Sequence, residues 1–170
     1  ADDFIVGFQH QDDAQRFLRD LRLRLQKFSL ELHPDKTRLI EFGRFAGERR
    51  ARCGKGKPET FNFLGLTHIC AKTRAGKFLL ERRTIRKRMR AKLQAVKTEL
   101  RRRWHVPIPK QGKWLRAVVR GYFAYHAVPT NYDTLKAFRR EVERHWIRAL
   151  RRRSQRDRTS WNRFKSLSRK

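Results

Sequence analysis

The stretch Ile85-Arg86-Lys87-Arg88-Met89-Arg90-Ala91-Lys92-Leu93-Gln94-Ala95-Val96-Lys97-Thr98-Glu99-Leu100-Arg101-Arg102-Arg103-Trp104 decides how this chain is read. Ile85, Met89, Leu93, Val96, Leu100 and Trp104 recur at spacings of four, four, three, four and four. That period predicts an amphipathic helix of about six turns, apolar on one side and cationic on the others. Val106-Pro107-Ile108-Pro109 ends it. Trp114, Leu115, Val118, Val119, Tyr122, Phe123 and His126 mark a second helix, closed by Pro129. A third, capped by Asn131 or Asp133, turns Leu135, Phe138, Val142, Trp146, Ile147 and Leu150 inward. Three amphipathic helices with short connections predict a small bundle, with Trp104, Trp114, Tyr122 and Trp146 in its core.

Before residue 82 the period is different. Phe61 to Ile69 reads as one strand rich in aromatic and β-branched residues, Ala71–Gly76 as a turn and Lys77–Leu80 as a returning strand. Near the start, Phe4-Ile5-Val6-Gly7-Phe8 and Thr37 to Phe42 also read as strands. Between them, Asp12 or Asp13 is expected to cap a helix with a stripe of Ala14, Phe17, Leu18, Leu21, Leu25 and Phe28. His33-Pro34-Asp35 ends that pattern, and the basic, glycine-containing residues 43–58 read as an exposed loop. The expected fold class is therefore α+β. A sheet-bearing region over 1–82 precedes a helical region over 83–153 and a basic, loosely ordered tail over 154–170, where Trp161 and Phe164 are available to dock.

The chain of 170 residues carries 45 Lys+Arg against 16 Asp+Glu, a net charge of +29. Residues 1–40 are neutral, whereas 81–170 hold 29 basic and 6 acidic side chains, net +23. Such an excess points to a polyanionic partner, nucleic acid first, with guanidinium forks suited to phosphate. Two cysteines, Cys53 and Cys70, make neither a disulfide framework nor a four-ligand zinc site. No run reaches the roughly 18 apolar residues of a membrane span and no signal pattern opens the chain, so a cytoplasmic protein without a membrane partner is expected.

Ala1-Asp2-Asp3 stands before the first expected strand. An acidic pair held by strands suits divalent-ion chemistry, because Mg²⁺ takes oxygen ligands and two such ions can clamp an in-line phosphoryl displacement. With it, the order of segments resembles reverse transcriptases of the bacterial group II intron type with their maturase domain. In that family Tyr-Ala-Asp-Asp is followed by a helix, by Leu-x-Leu-x-x-x-Lys-Thr and by Phe-Leu-Gly. Here Ala1-Asp2-Asp3, Leu30-Glu31-Leu32-His33-Pro34-Asp35-Lys36-Thr37 and Phe63-Leu64-Gly65 stand in the same order. The cationic helices, with Gly121-Tyr122-Phe123-Ala124-Tyr125, look like the thumb, or domain X.

The resemblance covers about residues 1–165 and implies a partial polymerase palm followed by a basic three-helix thumb. It implies that Asp2 and Asp3 hold Mg²⁺, two ions in an intact enzyme, and that Lys36 assists the incoming triphosphate or the leaving pyrophosphate. It makes Phe63, Leu64 and Gly65 the primer grip. Arg86, Arg90, Arg101, Arg102, Arg116, Arg120, Arg139 and Arg140 are expected on the outer, nucleic-acid-binding face, while His68 and His126 are structural or RNA-facing. The implied partners are template and intron RNA, a DNA primer and deoxynucleoside triphosphates, in a bacterial ribonucleoprotein. The family's upstream palm aspartate and fingers find no counterpart, so the chain reads as a fragment that binds RNA without polymerising. Two rivals stand beside it: a non-catalytic basic RNA-binding protein, and a reverse transcriptase of a retron or defence system.

Overall fold

The structure, a computed structural model, describes residues 3–153 and is mixed α+β. Its chain divides into two compact units, Ala1–Glu59 and Thr60–Lys170. The expected boundary near residue 82 thus falls inside the second unit, and the hairpins before it belong with the helices after it.

The first unit holds helices α1 (Gln11–Gln26) and α2 (Ala46–Arg52). Helix α1 starts two residues earlier than an Asp12 cap would place it and three earlier than an Asp13 cap: His10 is its N-cap, and Asp12 and Asp13 lie in the first turn, where carboxylates oppose the helix dipole favourably. Of its expected stripe, Ala14 is buried, while Phe17 and Phe28 are exposed. The expected strands at 4–8 and 37–42 form no regular element. β-forming side chains favour strand geometry, but a strand exists only where a neighbour completes its ladder, and none does among the described residues. Helix α2 replaces part of the expected loop at 43–58. Ala46, Glu48, Arg49, Arg50, Ala51 and Arg52 are adequate or strong helix formers, an argument obscured by the glycines around them. Arg49 pairs with Glu41 at 2.9 Å, and Arg38 pairs with Glu59.

The second unit opens with an antiparallel sheet of β1 (Phe61–Phe63), β2 (Leu66–Lys72) and β3 (Phe78–Thr84), in that order. The single strand expected over Phe61–Ile69 is therefore a hairpin whose two-residue turn is Leu64-Gly65, with φ of +46° and +79°. Two consecutive left-handed residues match the twist of a tight hairpin. Glycine takes that conformation freely and leucine rarely does, which is why the sequence pattern conceals the turn. A second turn at 73–77 joins β2 to β3, closed by Gly76 N–H donating to the Thr73 carbonyl at 2.9 Å.

Helices α3 (Arg86–Arg102), α4 (Ile108–His126) and α5 (Tyr132–Arg151) follow. Leu93, Val96 and Leu100 pack with Leu115, Tyr122, Leu135, Phe138, Val142, Trp146, Ile147 and Leu150 in one core. Phe138, fully buried, stacks on Tyr122 with ring centroids 3.6 Å apart. Trp104 corrects the expected core: α3 ends before it, and the indole is 40% exposed. Asn131 occupies the N-cap position of α5, yet its side chain does not cap the helix. Fully buried, it accepts from Thr84 N–H at 3.0 Å and donates to Thr84 Oγ1 at 2.8 Å and to the His126 carbonyl at 2.9 Å. One amide thus ties the end of β3 to the α4–α5 connection. Thr130 adds a second tie, its hydroxyl accepting from Arg82 N–H at 2.8 Å.

Candidate nucleic-acid interface

Amphipathic packing dictates where the bundle's charge goes. With Leu93, Val96 and Leu100 turned inward, the intervening Arg and Lys of α3 must face water, and α4 and α5 repeat the pattern. Arg86, Arg90, Arg101, Arg102, Arg116, Arg120, Arg139 and Arg140 are all exposed. Arg139 pairs with Glu143 at 3.0 Å; the other seven enter no ion pair among the described residues. Guanidinium groups without a carboxylate partner are free to meet phosphate in bidentate geometry.

Phe63-Leu64-Gly65 forms the tip of the β1–β2 hairpin, and the tip is seated against the bundle. Tyr125 Oη donates to the Leu64 carbonyl at 3.2 Å, and Ile85 N–H donates to the Gly65 carbonyl at 3.1 Å. A Cβ on Gly65 would lie 3.2 Å from an Arg88 guanidinium nitrogen and 3.4 Å from the Tyr125 ring. The Leu64 side chain is 63% exposed, so the turn presents an apolar knob beside a cation. Arg88 and Tyr125 are the residues at this tip that sequence reasoning missed. The Gly121–Tyr125 motif pointed to the right helix, but only the turn geometry brings Tyr125 to Leu64.

His126 lies beneath the same tip, packed against Tyr122 and Tyr125. Burial, reinforced by the charge of Arg88, holds its imidazole below the ordinary value of 6.5. His68 stacks on Phe61 with centroids 4.7 Å apart. Burial lowers its pKa too, partly opposed by a hydrogen bond at the Leu66 backbone and assisted by Arg82. Both histidines thus have structural surroundings.

Asp2 lies outside the described residues, as does the whole stretch 154–170 with Trp161 and Phe164. Asp3 is exposed, outside any helix or strand. Lys36, also exposed, lies in the turn at 34–36, where Lys36 N–H and Thr37 N–H both meet the His33 carbonyl, at 3.3 and 3.0 Å. Among the described residues, no three His, Cys, Asp or Glu side chains converge to hold a metal ion. Asp3 is thus the one residue of the expected ion-holding pair within the described residues. Among the described residues, no helix is long and apolar enough to cross a membrane. No family model matches the chain, and neither the curated proteins nor the solved structures compared with it give a match.

Proposed function

We propose that this chain carries the end of the palm and the thumb of a group II intron-type reverse transcriptase and maturase, an RNA-directed DNA polymerase. The reading rests on one observation: Ala1-Asp2-Asp3, Leu30–Thr37 and Phe63-Leu64-Gly65 precede a cationic three-helix bundle in that order. In this reading the exposed arginines of α3, α4 and α5 hold template and intron RNA through phosphate. The Leu64-Gly65 turn, with Leu64 exposed and Arg88 beside Gly65, meets the primer backbone. Asp2 and Asp3 contribute carboxylates to Mg²⁺, and the family's upstream palm aspartate, which has no counterpart in this chain, would complete the ligand set. Lys36 supplies a mobile cation to the triphosphate.

The test separates chemistry from binding. In a polymerase that contains this chain, Asp2→Ala abolishes primer extension on an RNA template and leaves RNA affinity within about twofold. The 170-residue chain alone binds RNA with steep salt dependence and does not extend a primer. Loss of RNA affinity in Asp2→Ala, or robust extension by the 170-residue chain, contradicts the reading. A second reading, a basic RNA-binding protein without catalysis, draws on the absence of a strand at 4–8 and the exposure of Asp3. It expects extension to be absent from every protein containing the chain.

A further inference from the structure

At one end of the bundle, away from the sheet connection at Asn131, α3 and α5 leave a cavity of about 120 Å³. Lys97 and Arg101 reach it from α3, His145 and Arg148 from α5, Arg152 from just beyond α5, and Trp104 from the turn after α3. Its apolar floor includes Leu100, which is buried. Gln111, also buried, is fixed from both sides: its Nε2 donates to the Arg103 carbonyl at 2.5 Å and its Oε1 accepts from the Trp146 indole at 3.1 Å. The floor is therefore rigid while the rim is charged.

Among the described residues, no carboxylate lines this cavity. Lys97, Arg101, Arg148 and Arg152 enter no ion pair among the described residues, unlike Arg103 and Arg139 nearby in the bundle. The local potential is correspondingly positive. Burial depresses the His145 imidazole below its ordinary 6.5, Glu141 opposes this, and Arg148 and Lys97 add to the depression. The volume is well under the ~300 Å³ of the smallest ordinary small-molecule pockets, so it takes one compact group and not a whole cofactor. At its edge Trp104 exposes 40% of its surface, which leaves part of the indole open for a planar ring to stack on.

We propose that this cavity takes the phosphate of one unpaired nucleotide of a nucleic-acid strand, held among Lys97, Arg101, Arg148 and Arg152, while the base lies outside it and stacks on the exposed part of Trp104. Single-stranded RNA and single-stranded DNA share that chemistry. Duplex phosphates reach the same cations, but a paired base cannot reach the indole. The site deepens the RNA-binding half of the function proposed above and does not depend on polymerisation.

The test uses the full 170-residue chain and three probes: a single-stranded RNA of about 12 nucleotides, the same sequence as DNA, and a blunt RNA duplex. Stacking of about 1–3 kcal/mol per base means that Trp104→Ala weakens the occupant single strand by roughly tenfold, with duplex affinity unchanged within twofold. Trp104→Phe recovers most of the loss, and the single strand that loses more identifies the occupant. Arg148→Gln with Arg152→Gln lowers the salt dependence of single-strand binding by about two phosphate contacts. Equal losses for single strand and duplex, or no loss in either, overturn the site while the wider function survives. Failure of the native chain to bind any of the three probes overturns both.

Discussion

Helices α1 and α5 are similar in length, 16 and 20 residues, and both have an apolar side, yet they end in different circumstances. Helix α5 buries Leu135, Phe138, Val142, Trp146, Ile147 and Leu150, whereas α1 buries only Ala14. The difference teaches that an apolar stripe specifies a helix but not a core. A core needs a second surface of matching shape, which α3 and α4 provide for α5. In the first unit, Phe4, Ile5, Phe17, Leu23 and Phe28 remain exposed despite β-forming or helical patterning. The largest consequence is a stability contrast. Phe138→Ala, which removes a fully buried ring stacked on Tyr122, costs about 3–5 kcal/mol in urea unfolding of the second unit. Phe28→Ala, at a side chain 61% exposed, changes stability by no more than about 0.5 kcal/mol. Equal costs at the two positions would erase the contrast.

A smaller effect sharpens the polar side of the comparison. Asn131→Leu fills similar volume but strands the Thr84 N–H in a buried site, while the His126 carbonyl keeps the Val128 N–H, at a cost of about 1–3 kcal/mol. Chemical denaturation reads it directly, and a neutral result would mean that the Asn131 tie adds nothing to the apolar packing and the other hydrogen bonds between sheet and bundle. Gly65→Ala is milder, about 1 kcal/mol, from the left-handed φ and the shift forced on Arg88 and the Tyr125 ring. Thermal unfolding of this variant against Gly76→Ala, where φ is also positive but space is open, separates strain from crowding.

The smallest effect is on pH dependence. His68, His126 and His145 all lie in the second unit with pKa values depressed below 6.5, and burial is the first cause for each. As pH falls through 6.5, the unfolded chain takes up protons before the folded one does, so folding loses stability. Stability contributed by the neutral imidazoles is complete above about pH 7 and declines from there toward pH 5. Denaturation midpoints at the two pH values measure the decline, and His126→Gln flattens part of it. A midpoint that rises on acidification would contradict the assignment.

The legibility of the sequence follows the same division. Helical spacing located α3, α4 and α5 and the inward residues Leu93, Val96, Phe138 and Trp146, because a repeated 3.6-residue period carries its own direction of burial. The exposed arginines followed from the same geometry. The expected strands at 4–8 and 37–42 did not form, since a ladder depends on a partner that local sequence does not name. The Leu64-Gly65 turn escaped because leucine seldom accepts positive φ. Asn131 was legible as a cap position but not as a bridge to Thr84, a residue 47 positions earlier. The cavity beside Trp104 was hidden for a related reason: its cations come from two helices and count as a site only after those helices pack.

Salt titration of RNA affinity probes the claim that nucleic acid is gripped by the second unit. Replacing Arg86, Arg90 and Arg140 with glutamine should lower the slope of log affinity against log salt by about two to three, as three phosphate contacts require. Replacing Arg16, Arg19 and Arg22, exposed on α1, should leave that slope unchanged. A slope that falls with the α1 replacements and stays constant with those on α3 and α5 would contradict the account.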